Sequence, residues 1–133
     1  MLALLRKRWT MLPSWAKWVL AVYIIGFADG TGAHVEDLVR GGIHTYSSYS
    51  QVPIQVFFVS LVALDPLVAV LVAFVRREGV WLARGVMVAD VAANWIGNWP
   101  ELRSDPLRMI GLIPVFGLFV LVSSFPLLRI IGP

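Results

Sequence analysis

Asp90, Asn94 and Asn98 recur every fourth residue in a stretch that is otherwise apolar or small. On a helix that spacing lines three polar side chains into one stripe. A carboxyl with two amides in apolar surroundings is equipped to bind a ligand or carry a proton, or to bond across to neighbouring helices as packing contacts. Asp65, followed by Pro66, is a second carboxyl set in an apolar run. It lies about 12 residues into its run, roughly 18 Å at 1.5 Å per residue, close to the depth that Asp90 reaches from the opposite direction. A charged side chain at mid-membrane depth costs on the order of 2.5–3.5 kcal/mol on an insertion scale, so each carboxyl calls for a partner or a function. If the two meet, they compose a general acid/base pair or a proton-coupled site. The local alternative for Asp65 is that Pro66 removes an amide donor, and the resulting kink or water-filled defect accommodates the acid.

A second set of polar groups, Asp29, His34, Asp37 and His44, has residue types suited to a metal. No two of them have the HExxH-like spacing that fixes ligands on one helical face, so Asp29, His34 and His44 are expected at the outer mouth of a cavity and no metal site is expected. Both histidines fall outside the expected spans, which disfavours an axial haem ligand. There are no cysteines, which excludes disulfides, thiolate metal sites and iron–sulfur clusters. No cofactor is expected.

The elements that position these groups follow from composition. Of 133 residues, 59% are hydrophobic and 14% charged, more apolar surface than a soluble domain of this size hides. The solvent is lipid, and a hydrocarbon core of about 30 Å takes roughly 20 residues per helical span. The expected fold is all-α, a four-helix transmembrane bundle of one domain with spans over approximately 14–30, 53–75, 80–99 and 109–131. Residues 1–13 read as a basic amphipathic stub ending at Pro13. A signal peptide is the competing reading of this region, but Trp15 and Trp18 suit a lasting interfacial anchor, and Asp29 sits badly at a cleavage site. Between the first two spans, Val35, Leu38, Val39 and Ile43 predict a short interfacial helix or a structured loop.

Arg6, Lys7, Arg8, Lys17, Arg76, Arg77, Arg84 and Arg129 fall on one side of this arrangement, and Arg40, Arg103 and Arg108 on the other. The positive-inside rule then places both termini in the cytoplasm, and it assigns the net charge of +3 to membrane flanks rather than to a nucleic-acid surface. Beside the polar stripe, Gly85, Ala89, Ala93 and Gly97 form a row of small residues that lets another helix approach. Gly26 and Gly30 have GxxxG spacing, suited to close packing of the first helix, to pairing of two copies in a homodimer, or to breaking the helix.

From Gln51 to Trp95 the order of features resembles that of the EXPERA family, four-helix membrane proteins that include emopamil-binding sterol isomerases and the sigma-2 receptor. The likeness is one of layout: the apolar opening Pro53–Phe58, then Ser60-Leu61-Val62-Ala63-Leu64-Asp65-Pro66, then the basic turn at Arg76-Arg77. It implies a membrane-facing cavity for amine-like or sterol-like ligands, with Asp65 as the acidic residue that binds or protonates them. The chain departs from the family in having Ser60 where an earlier acidic residue stands, and its third-helix stripe has no counterpart there.

These readings converge on a membrane protein, in contact with lipid, that holds a lipid-like or amine-like small molecule among Asp65, Asp90, Asn94 and Asn98, with isomerase chemistry as one form of it. A proton-coupled transporter or channel using the same carboxyls is the alternative, and an accessory subunit of a larger membrane complex is a third.

Overall fold

A computed structural model describes residues 1–132. The described residues form six α-helices: α1 (Leu2–Thr10), α2 (Ser14–Gly41), α3 (Val52–Ala73), α4 (Arg77–Gly97), α5 (Trp99–Ser104) and α6 (Leu112–Ile130). Single 3-10 turns follow α2 at Gly42–His44 and precede α6 at Pro106–Met109. The stretches Ser14–His44, Val52–Ala73 and Leu112–Ile130 are long and apolar enough to cross a membrane. The 21-residue α4 has comparable length, but it carries Arg77, Glu78, Arg84 and Asp90.

The four long helices pack in a ring, α2 on α3, α3 on α4, α4 on α6, closed by a lighter contact of α6 with α2. Each buries a seam whose positions alternate by three and four residues. In α2 it is Ala16, Leu20, Tyr23 and Phe27; in α3 it is Ile54, Phe58, Leu61, Asp65, Val68 and Val72; in α6 it is Gly117, Val120, Ser124 and Leu127. That repeat keeps one face of a helix turned to its neighbours along its whole length. The opposite faces expose Trp18, Ile25, Val56, Val70, Val88, Leu118 and Val122, an apolar exterior suited to lipid.

Proline and glycine set the boundaries. Pro13 precedes α2 in an extended conformation, and Gly42 ends it with φ of 65°. Pro53 occupies the first turn of α3, where its missing donor is harmless. Pro66 sits inside α3, which continues through it. The turn from α3 to α4 is tight because Val75 takes a left-handed φ of 54° while the Arg76 N–H reaches back to the Leu71 carbonyl. Gly79 then lies against the backbone of Leu71 and Val72, where an added Cβ would come within 2.9 Å.

One difference from the sequence reading bears on function. The first span does not end near residue 30: α2 runs unbroken for 28 residues to Gly41, so of the residues expected in a separate interfacial helix or structured loop, Val35, Leu38 and Val39 lie in its last turns and Ile43 in the 3-10 turn that follows. At 1.5 Å per residue α2 is about 42 Å long, roughly 12 Å more than a hydrocarbon core. Its polar last turns therefore need no break in order to leave the apolar layer. The other boundaries also shift: α4 begins at Arg77 and α6 at Leu112, the latter after α5 and a 3-10 turn.

α1 docks at the far end of the bundle. The Trp9 indole donates to the Ala73 carbonyl at 2.8 Å, and Arg8 donates to the Phe74 carbonyl at 3.1 Å. Arg77 does the same for the end of α6, donating to the carbonyls of Leu128 and Ile131. Basic and indole side chains thus satisfy carbonyls that α3 and α6 leave open at their C-termini.

Candidate functional site

Asp65 occupies a seam position of α3 and is 6% exposed. Its room comes from α2: a Cβ on Gly30 would stand 2.6 Å from the Asp65 Oδ2 atom, so any larger residue there requires the carboxyl or the helix to shift. One turn further along α2, the His34 Nε2 atom is 3.9 Å from the same oxygen. The His34 Nδ1 atom is 2.7 Å from the Tyr46 hydroxyl, and that hydroxyl donates to Asp37 Oδ2 at 2.9 Å. Tyr46 is held over the end of α3 by its ring contact with Phe58, 5.3 Å between centroids.

Asp37, Tyr46, His34 and Asp65 therefore form a chain of polar groups running from the last turn of α2 inward. With Asp37 ionised, the single hydroxyl proton of Tyr46 is committed to it, so the hydroxyl oxygen accepts from His34 and Nδ1 must carry a hydrogen. His34 Nε2 then faces the Asp65 carboxyl at 3.9 Å, beyond a direct hydrogen bond. Burial, then the hydrogen bond to Asp37, pushes the Tyr46 hydroxyl above its ordinary value, so it stays a donor at neutral pH.

Asp90 lies on α4, the helix that packs on α3. Its stripe is a ladder along one helix. The Asn94 amide donates to Asp90 Oδ1 and to the Asp90 carbonyl, each at 2.9 Å, and Asn98 donates to the Asn94 carbonyl at 2.8 Å. Beyond its own helix the stripe makes one long contact, 3.5 Å from Asn98 to the hydroxyl of Tyr49 in the bend before α3. Tyr49 approaches because Gly97 has no side chain: a Cβ there would lie 2.6 Å from the tyrosine ring.

The sequence-derived set thus divides. His34 and Asp65 belong to the polar chain between α2 and α3, and Asp90, Asn94 and Asn98 to the ladder along α4, the two making up the polar region. Asp29 is exposed on α2, one residue off the seam that carries Gly30 and His34, and His44 is exposed in the 3-10 turn; neither joins that region. Among the described residues no three of histidine, aspartate and glutamate gather into a metal-binding set. Two concavities stand out on the molecule, and both lie against α1 rather than at the carboxyls.

Tyr46 is a member of this polar chain that the sequence reading does not place with the carboxyls, and Asp37 enters that reading only as one of four residue types suited to a metal. Asp37 had a signal: Ala16, Leu20, Tyr23, Phe27, Gly30, His34 and Asp37 continue one alternation of four and three along α2. Tyr46 had none, since it is brought back by the turns after Gly42. Comparison of the chain with family models, curated proteins and solved structures finds no match.

Proposed function

We propose that this is a four-helix transmembrane protein in which Asp65 exchanges a proton for a cationic, amine-like ligand, with Asp37, Tyr46 and His34 conducting the proton between Asp65 and one membrane face. The observation that carries the reading is the hydrogen-bonded run Asp37–Tyr46–His34, which ends with His34 Nε2 facing Asp65 across 3.9 Å, each member being able to accept or release a proton. A histidine between a surface-directed hydroxyl and an intramembrane carboxyl is the composition of a proton relay. Asp90, held by Asn94, supplies the second negative group that a cation would meet. The basic stub, Arg76 and Arg77 face the cytoplasm in this reading, and the relay opens to the other side. The layout shared with the EXPERA family favours an apolar, amine-like ligand and gives Asp65 the same part.

Tetraphenylphosphonium tests it, because this lipophilic cation has no proton of its own. In weakly buffered detergent solution its binding to the purified protein should release close to one proton per cation bound, and Asp65→Asn should abolish both binding and release. Binding without proton release, or release that survives Asp65→Asn, overturns the exchange. Absence of binding in a folded protein favours an accessory role in a larger complex.

A further inference from the structure

The end of the bundle opposite the relay has its own construction. α1 buries no residue, yet it is fastened to α3 by two side-chain bonds, from Arg8 and Trp9. Docked this way, it leaves a groove of about 350 Å³ between its inner face and the α3–α4 turn. Leu4, Leu5, Leu71 and Phe74 give the groove apolar walls, and Arg8 and Arg76 stand on its lining.

Its charge is one-sided. Arg6, Lys7, Arg8, Arg76 and Arg77 cluster along α1 and the turn, and Glu78 is the only carboxylate in those segments. Glu78 is taken up by Arg76, through bonds of 3.1 and 3.2 Å. Arg8 spends one guanidinium nitrogen on the Phe74 carbonyl and has no carboxylate within 4.0 Å among the described residues. The negative end of α3 is offset here by the Arg8 guanidinium, which donates to the Phe74 carbonyl. Apolar walls beside the guanidinium donors that Arg8 and Arg76 keep beyond these bonds, at the level where a membrane helix leaves the hydrocarbon, match an acyl chain joined to a phosphate.

We propose that the groove between α1 and the α3–α4 turn holds an anionic phospholipid, its phosphate against Arg8 and Arg76 and its first acyl carbons along Leu4, Leu5, Leu71 and Phe74. The volume is near the low end of small-molecule sites, about 300–1,000 Å³, so it takes the head and upper chain while the tail continues into the bilayer. α1 is then a clasp, closed from above by its bonds to α3 and filled from below by lipid. The inference rests on the chain spanning a membrane but not on Asp65.

The test is native mass spectrometry of the full chain in detergent, titrated separately with phosphatidylglycerol, phosphatidylcholine and inorganic phosphate. Phosphatidylglycerol should bind at least about tenfold more tightly than phosphatidylcholine. Arg76→Gln should remove most of that preference, Glu78→Gln should strengthen it by releasing Arg76, and Arg129→Gln should leave it unchanged. Because Arg8 also holds the Phe74 carbonyl, Arg8→Gln is a supporting variant, and Arg76→Gln decides if that protein misfolds. Equal binding of the two lipids, or a preference lost equally with Arg129→Gln, overturns the site in favour of diffuse surface charge. Inorganic phosphate competing fully with the lipid also overturns it, since it would show an ion site without a chain. Tetraphenylphosphonium exchange at Asp65 is measured independently, so either proposal can fail alone.

Discussion

His34 and Asp65 face each other across the α2–α3 contact, Nε2 to Oδ2 at 3.9 Å, while the other imidazole nitrogen is engaged by Tyr46. That separation is beyond a direct hydrogen bond and within reach of one small movement or one bridging water. Proton transfer at this gap should limit the rate of exchange. His34→Gln removes the titrating group but keeps a polar side chain, and it should slow proton release on tetraphenylphosphonium binding by about tenfold or more while binding at equilibrium persists. Tyr46→Phe should slow it comparably, by stranding His34 Nδ1. Stopped-flow measurement with a pH-sensitive dye checks both, and unchanged rates in the two variants would remove the relay.

Gly30 admits the carboxyl, so its substitution should act on fold and site together. A Cβ at 2.6 Å from Asp65 Oδ2 forces α2 and α3 apart or turns the carboxyl away. Gly30→Ala should destabilise by about 1–3 kcal/mol, the usual range for overpacking, and impair cation binding. Gly32→Ala, with nothing within 4 Å of its Cβ, should be neutral or gain up to about 1 kcal/mol of helix propensity. Thermal unfolding in detergent distinguishes the two, and equal effects would refute the packing assignment.

Much of this was legible in advance, for a physical reason. Apolar runs of membrane length and their proline boundaries depend only on local sequence, so α3 and α6 fall close to where hydropathy places them. Asp65 and Asp90 stand out because a carboxyl among apolar neighbours is costly. The last turns of α2 are not legible as helix because Asp29, Glu36, Asp37 and Arg40 have the composition of a loop, whereas a helix emerging from lipid carries such residues without ending. Extending the seam through Gly30 and His34 to Asp37 repairs that reading and also explains why Asp29, off the seam, is exposed. Tyr46 reaches His34 and Asp37 through a turn conformation, and no periodicity encodes it.

The elevated Tyr46 hydroxyl makes a pH prediction with a definite sign. A group whose folded value lies above its unfolded value of about 10 contributes its full stability below that pH and loses it as pH rises further. Burial comes first among the causes, followed by the Asp37 hydrogen bond. Thermal stability of the wild type should therefore fall more steeply above about pH 10 than that of Tyr46→Phe, while the two curves run parallel between neutral pH and about pH 9. Parallel curves throughout would mean that the hydroxyl titrates alike in folded and unfolded chains.

The small-residue row on α4 should prove functionally uneven, because the structure uses its two glycines differently. Gly97 receives the ring of Tyr49, and a Cβ there would lie 2.6 Å from it, whereas Gly85 is exposed with nothing within 4 Å. Gly97→Ala should push Tyr49 off α4, break its contact with Asn98, and cost about 1–3 kcal/mol. Gly85→Ala should be neutral or stabilising by up to about 1 kcal/mol, since it gains helix propensity without a clash. A second copy or another subunit packed on the row would reverse the second expectation, for Gly85 would then be the contact point. Unfolding of both variants, measured at low and high protein concentration, separates the cases: Gly85→Ala that destabilises only the concentrated protein assigns the exposed half of the row to an intermolecular contact, and indifference at both concentrations leaves it facing lipid.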